Sequence, residues 1–536
     1  MHQGHLSALD AAFLYLETPE MPMHVGGMYL LQLPEDYEGD FYDNFKAMIA
    51  SRLHLAPVFT RKLALMPFEL ANPLWIEDDD IDLDYHIRRI VLPKPGTREQ
   101  LEKYVGRLHS SLLDRSRPLW EFYVIEGVGG EGSRQLAFYS KVHHAALDGQ
   151  AAMKLASTVL DVSAVPRRVK PLPARPGRRQ YQLGIGELLL EGATHGVSQV
   201  ARLAALAPGL AVGAAKAAAK AAAKAAAGAA AVVRNGVAQR ALPKLPSWPK
   251  EWVLGPRTHF NVAITNQRSF ASTSLPLAQV KATGKALDAT INDVVLALCS
   301  GALRRYLDDY GKVPDKSLIA AVPISTRAAD DESQTNQVLM LPVSLASNLK
   351  DPLARLRAIQ ASAEKVKALT GGSMKAKITF DLPSLGVPWL MSGLVSLFGK
   401  SRIANAMPPI ANVVISNVPG PQMPLFMAGA CVLTMSPVSI PVHGVAINIT
   451  VQSYDGHLDF GITACRRAVP DVKTIASYIE GALAELALAA PQTSDIVPAL
   501  AAPPSDLPAV AAPKRKAASR TRPSRRHAGH DATVHA

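Results

Sequence analysis

Residues 166–250 open with Pro/Arg clusters and then become an alanine-dominated tract, and this stretch sets the organisation of the whole chain. Neither composition buries a core, so the 536 residues are expected to fold as one half before it and one half after it. Within the tract Lys216, Lys220 and Lys224 recur every fourth residue, which in a helix aligns them as a cationic stripe on a strong helix former. Two readings of the stripe stay open: a semi-rigid spacer with a solvated face, or a face resting on phospholipid headgroups. The expected division is therefore 1–165, a linker at 166–250, 251–490, and an Ala/Pro-rich tail at 491–536.

Much of the net charge of +12 lies in the linker and the tail, which carries Lys514, Arg515, Lys516, Arg520, Arg522, Arg525 and Arg526. Such a tail cannot bury a core and is expected to be disordered. A basic tail attracts any polyanion by charge alone, and no aromatic base-stacking pattern accompanies it, so no specific nucleic-acid partner is expected. Cys299, Cys431 and Cys465 stand far apart with no CxxC pair, as small core residues in a reducing cytoplasm would. The opening His2-Gln3-Gly4-His5, followed by Asp10, does not read as a signal peptide.

Both halves read as α/β. In the first, strands are expected at 28–33, 120–126 and 135–142, and helices at 41–53, 98–113 and 149–160. In the second, strands are expected at 268–275, 318–323 and 338–343, and helices at 291–306 and 353–367. A late hairpin is signalled by Asp455-Gly456, a favoured tight-turn pair, between strands at 444–454 and 457–463. The uncharged run 382–399 holds two prolines and interior glycines and is a poor spanning helix. Its Trp389, Leu390, Leu394, Val395, Leu397 and Phe398 suit an apolar channel, a lipid surface or a core helix equally.

The chemistry concentrates in Lys141-Val142-His143-His144-Ala145-Ala146-Leu147-Asp148-Gly149, where a strand runs into two histidines and a helix follows for which Asp148 is a candidate N-cap. An alcohol is a poor nucleophile at neutral pH, and an imidazole of ordinary pKa near ~6.5 is suited to take its proton during attack. His144 is the expected general base, with Asp148 fixing its loop and His143 shaping the strand end. The bland alternative is that the histidines and Asp148 merely satisfy one another. No cysteine or HExxH helix accompanies them, so neither a metal nor another cofactor is expected.

HHAALDG resembles the HHxxxDG signature of the CoA-dependent acyltransferases, and further segments resemble the bacterial wax ester synthase/diacylglycerol acyltransferase family in the same order. These are Ser7-Ala8-Leu9-Asp10 with Met21-Pro22-Met23-His24-Val25-Gly26-Gly27, then Pro118-Leu119-Trp120, then Gly255-Pro256-Arg257 with His259-Phe260-Asn261. Asn292-Asp293-Val294-Val295-Leu296-Ala297, Pro323-Ile324-Ser325-Thr326-Arg327 and Ser416-Asn417-Val418-Pro419-Gly420-Pro421 complete the series. The resemblance implies two chloramphenicol-acetyltransferase-like α/β subdomains enclosing a substrate tunnel. It also implies transfer of a long-chain acyl group from acyl-CoA to diacylglycerol or a fatty alcohol by direct attack on the thioester. By the same resemblance Asn292 is an oxyanion donor, although an N-cap for its helix is an equal reading. Asp148 orders the histidine loop and pairs with Arg327, while Gly149, Pro118, Leu119 and Trp120 border the substrates; Trp120 equally reads as a core aromatic. Lipid substrates imply a cytoplasmic protein attached peripherally to the inner face of the membrane or to lipid inclusions. The rival readings are an amide-forming condensation-like domain and a noncatalytic coat of lipid inclusions.

Overall fold

The computed structural model describes residues 6, 8–64, 72–78, 80–147, 149–170, 254–325, 338–370 and 409–490. Asp148, the Lys216–Lys224 stripe, Arg327, the 382–399 run and the basic tail lie outside them.

In the first half, helix α1 (Ala8–Leu16) leads into β1 (His24–Gln32), α2 (Phe41–Arg52) and the short strands β2 (Arg61–Ala64) and β3 (Leu74–Glu77). A single turn α3 (Leu83–His86) gives way to β4 (Ile87–Val91), α4 (Arg98–His109), β5 (Trp120–Val128), β6 (Gln135–His143) and α5 (Gly149–Val159). Asp40 caps α2 by accepting from Asp43 N–H, and Thr97 with Gln100 forms a reciprocal capping box on α4, which ends at His109 rather than at residue 113. Phe41, Phe45 and Ile49 recur at helical spacing and press α2 onto one face of the sheet, against Trp120, Phe122 and Phe138. Leu101 and Val105 of α4 cover the other face, against Tyr123, Ile125 and Tyr139. Covered on both sides, β5 is buried along nearly its whole length.

The second half contributes β7 (Arg268–Pro276), β8 (Ile319–Ser325), β9 (Val338–Ser344), β10 (Val413–Val418), β11 (Phe426–Met427), β12 (Ala430–Val438), β13 (Ile447–Tyr454) and β14 (His457–Cys465). Among the described residues its helices span Leu277–Ala286, Ile291–Tyr310, Pro352–Thr370 and Val472–Ala489. A mixed sheet in the order β7-β14-β13-β10-β8-β9 holds its core, with β10 parallel to both of its neighbours. The hairpin turn is where the sequence signals it: Asp455 and Gly456 take φ of 40° and 78°, the left-handed pair a two-residue turn needs.

The other sheet runs β11-β12-β1-β6-β5-β4, so two strands of the second half complete the sheet of the first. β12 lies antiparallel to β1 from Gly26↔Val438 to Gln32↔Cys431. On its other edge β1 pairs with β6, His24 opposite His143. A Cβ on Gly26 would collide with the Ser140 carbonyl of β6, which is the reason this motif carries glycine there. Asn292 does not cap its helix. Thr290 does, in a capping box with Asp293, and Asn292 occupies the second helical position.

Candidate active site

Two backbone bonds hold the histidine pair at the end of β6. His143 N–H donates to the Leu119 carbonyl at 3.0 Å and His144 N–H to the Met23 carbonyl at 2.9 Å. The Pro118-Leu119-Trp120 and Met21-Pro22-Met23 segments therefore clamp the turn from the two strands that flank β6. Pro118, Leu119 and Trp120 are all buried. Trp120 stacks on His86 at 4.2 Å between ring centroids and donates Nε1–H to the Phe59 carbonyl at 3.2 Å, which makes it a core aromatic. Gly149 opens α5 just beyond the turn.

The His143 ring is wholly enclosed. Its Nδ1 accepts Ala145 N–H at 3.1 Å, which leaves Nε2 to carry the ring proton, and Nε2 faces Glu17 Oε1 at 3.4 Å. Glu17 is itself held on every side: Met23 N–H donates to Oε1 at 3.0 Å, and Arg115 reaches Oε2 with Nη2 at 2.8 Å and Nε at 3.1 Å. Burial alone would raise the Glu17 pKa, but His143, Arg115 and the Met23 amide together bring it down to about 2.

His144 is placed differently. Its ring stacks on Phe13 of α1 at 3.9 Å and 16°. Burial lowers its pKa to about 4 against a small opposing effect of its own backbone, and neighbouring His143 adds to the lowering. Nδ1 makes no hydrogen bond of normal geometry to the described residues. At neutral pH His144 is thus an uncharged imidazole with its proton-accepting form fully available, held in place by an aromatic face and its backbone clamp.

Behind the pair lies a buried polar layer. Lys141, with no exposed surface, pairs with Glu121 Oε2 at 2.8 Å and donates to the Ser111 carbonyl at 3.1 Å; Tyr123 O–H donates to the same Glu121 oxygen at 2.6 Å. Burial pushes the Lys141 pKa down and Glu121 opposes it. His109 donates Nε2–H to the Ser439 carbonyl at 2.9 Å and accepts Tyr139 O–H on Nδ1 at 2.8 Å; burial keeps it neutral with a pKa of about 3. His24 contacts the His109 carbonyl through Nε2 at 2.7 Å and is likewise held neutral by burial.

Phe13, Glu17, Arg115 and Glu121 were not among the residues expected from sequence. Only the position of the first two, between the Ser7–Asp10 and Met21–Gly27 matches, pointed towards them. No hydrogen bond among the described residues joins Asn292 to the histidine turn, and no group of three His, Cys, Asp or Glu among them is placed to hold a metal.

Residues 6–295 match the wax ester synthase/diacylglycerol acyltransferase catalytic domain and residues 334–487 match the C-terminal domain of the same family. The chain belongs to this family. It is an acyltransferase by that membership. A probable diacylglycerol O-acyltransferase of Mycobacterium tuberculosis is 36% identical over 484 residues, covering 89% of this chain and 97% of the relative. The O-acyltransferase WSD of Acinetobacter baylyi is 34% identical over 481 residues, 89% of this chain and 95% of that one. Among solved structures, the wax ester synthase/diacylglycerol acyltransferase of Marinobacter aquaeolei superposes with a TM-score of 0.61 at 29% identity, covering 91% of this chain and 99% of that one. That match agrees with the two-subdomain α/β architecture expected from sequence.

Proposed function

We propose that this enzyme moves a long-chain acyl group from acyl-CoA to the hydroxyl of diacylglycerol, of a long-chain alcohol, or of both. His144 takes the hydroxyl proton as the oxygen attacks the thioester carbonyl, a C–O bond forms, the C–S bond breaks, and the imidazolium returns its proton to the departing thiolate. The observation that carries this reading is an uncharged His144, stacked on Phe13 and clamped through Met23, beside a second histidine fixed by an ionised Glu17. Glu17 and Arg115 act as positioning residues. Because Thr290 caps the helix, Asn292 is free of that duty, which supports keeping it as the oxyanion donor. The acceptors are membrane lipids, and the proposed location is the cytoplasmic face of the membrane or of lipid inclusions, by peripheral contact. Among the described residues no single helix is long and apolar enough to cross a membrane.

The test is CoA release from palmitoyl-CoA with hexadecanol or dipalmitoylglycerol, with product lipids separated, for wild type and His144→Ala. Ester formation by wild type should fall by about 10²- to 10⁴-fold in the folded variant. Absence of ester from either alcohol, or equal turnover by the variant, overturns the reading.

A further inference from the structure

On the outer side of the second half, helices Ile291–Tyr310 and Val472–Ala489 pack together and leave a cleft of about 330 Å³. One wall is Gly301, Arg304, Arg305 and Asp308; the other is Tyr478, Gly481, Ala482 and Glu485. Each set falls at i, i+3, i+4 and i+7, so two single helical faces oppose each other. Lys350 and Arg355 complete the lining. The cleft shares no element with the histidine turn.

Four cations thus converge on a lining with two carboxylates, Asp308 and Glu485, while Asp351 and Asp309 act on Arg355 and on the Tyr478 ring beneath Arg305 from outside it. Arg355 is the most enclosed, its side chain 4% exposed. Its Nη1 donates to the Leu349 and Lys350 carbonyls at 3.2 and 3.1 Å, Nη2 stands 3.6 Å from the Glu485 carboxylate, and buried Nε has no partner. Arg304 donates to the Ser347 carbonyl at 2.7 Å, while Arg305 lies over the Tyr478 ring at 4.8 Å. A buried guanidinium whose carboxylate stands at a loose 3.6 Å, beyond hydrogen-bond distance, and which keeps its Nε donor unspent is costly unless an anion completes it.

The small residues keep the space open. A Cβ on Gly301 would stand 3.2 Å from Arg355 Nη2 and 3.1 Å from the Ala482 Cβ, so this glycine makes room for the guanidinium. A Cβ on Gly481 would meet nothing within 4 Å, although glycine is a poor residue for a helix interior. Planar guanidinium donors beside a lysine match the several oxygens of a phosphate group better than a single carboxylate.

We propose that this cleft binds a phosphate group, carried either by a soluble phosphate or by an anionic lipid headgroup, at a site separate from the histidine turn. Gly481→Glu sets a carboxylate into the open space, and Arg305→Ala with Lys350→Ala removes two exposed cations; all three positions are exposed, so both proteins should fold and retain CoA release. Full-length wild type and both variants would be titrated calorimetrically with inorganic pyrophosphate and floated with phosphatidylcholine vesicles with and without phosphatidic acid. Binding weakened at least about tenfold in both variants supports the site. Pyrophosphate binding then identifies a soluble source, and a vesicle effect alone identifies a headgroup. Failure of both probes to bind wild type, or binding unchanged in the variants, as the basic tail acting alone would give, overturns it.

Discussion

Glu17→Gln keeps the shape of the side chain and an acceptor for Met23 N–H while removing the charge that answers Arg115 and His143. The carboxylate side chain is only 3% exposed, so solvent screens it little. A pKa lowered from 4.5 to about 2 corresponds to about 3 kcal/mol of stabilisation in the ionised form. The variant should lose about 2–4 kcal/mol by urea unfolding at pH 7. The sign is set by linkage: a carboxylate whose folded pKa is depressed contributes fully above its unfolded pKa of 4.5 and loses that contribution as pH falls towards 2. The gap between wild type and variant should therefore stay constant from about pH 8 to 5 and close below 4.5. With His143 no longer anchored, kcat for CoA release should fall by about tenfold to a hundredfold with KM little changed. Arg115→Ala in the Glu17→Gln background should add little, the coupling between the two being about 1–3 kcal/mol. A variant within about 0.5 kcal/mol of wild type would mean that the Glu17–Arg115 pair behaves as a surface ion pair, and the positioning argument would fail.

Because His144 is neutral down to about pH 4, kcat/KM per folded molecule should stay level from pH 8 to about 5, with no limb near 6.5. The same depressed pKa removes stability as pH falls from 6.5 to about 4, since the unfolded chain takes up the proton first, and unfolding midpoints across that window will register it. Phe13→Ala opens the ring face to water, so the acid limb should move up towards 6.5 while kcat falls. Lys141→Met leaves buried Glu121 with only the half-exposed Arg88, 3.4 Å from its other oxygen, and should cost about 2–4 kcal/mol, with Lys141→Met/Glu121→Leu recovering most of it in thermal unfolding.

What the sequence revealed was local. The catalytic strand, the helix after it and the Asp455-Gly456 hairpin were readable because each is written in consecutive residues. The Thr290-x-x-Asp293 capping box was written there too, but the motif match drew attention to Asn292 two residues on. Glu17 was not readable in the same way: its partner Arg115 stands 98 residues away, and only the return of β6 beside β1 brings His143 to both. Nothing in the sequence around Lys141 announces that it is buried; it is so because Glu121 on neighbouring β5 pairs with it.

The strand that β12 adds beside β1 has a consequence for the order in which the molecule can be made. At about 5–20 residues per second, translation reaches Ala430 some 20–80 s after Gln32. Throughout that interval the nascent first half holds β1 with one edge of backbone donors and acceptors unanswered, an open template for any extended chain it meets. The turn that carries His144 is complete in sequence by residue 147, yet the Ser439 carbonyl that receives the His109 proton has still to emerge. Synthesis of this enzyme should therefore depend on chaperones that shelter a free sheet edge, and premature termination anywhere before β12 should yield aggregate rather than a working half.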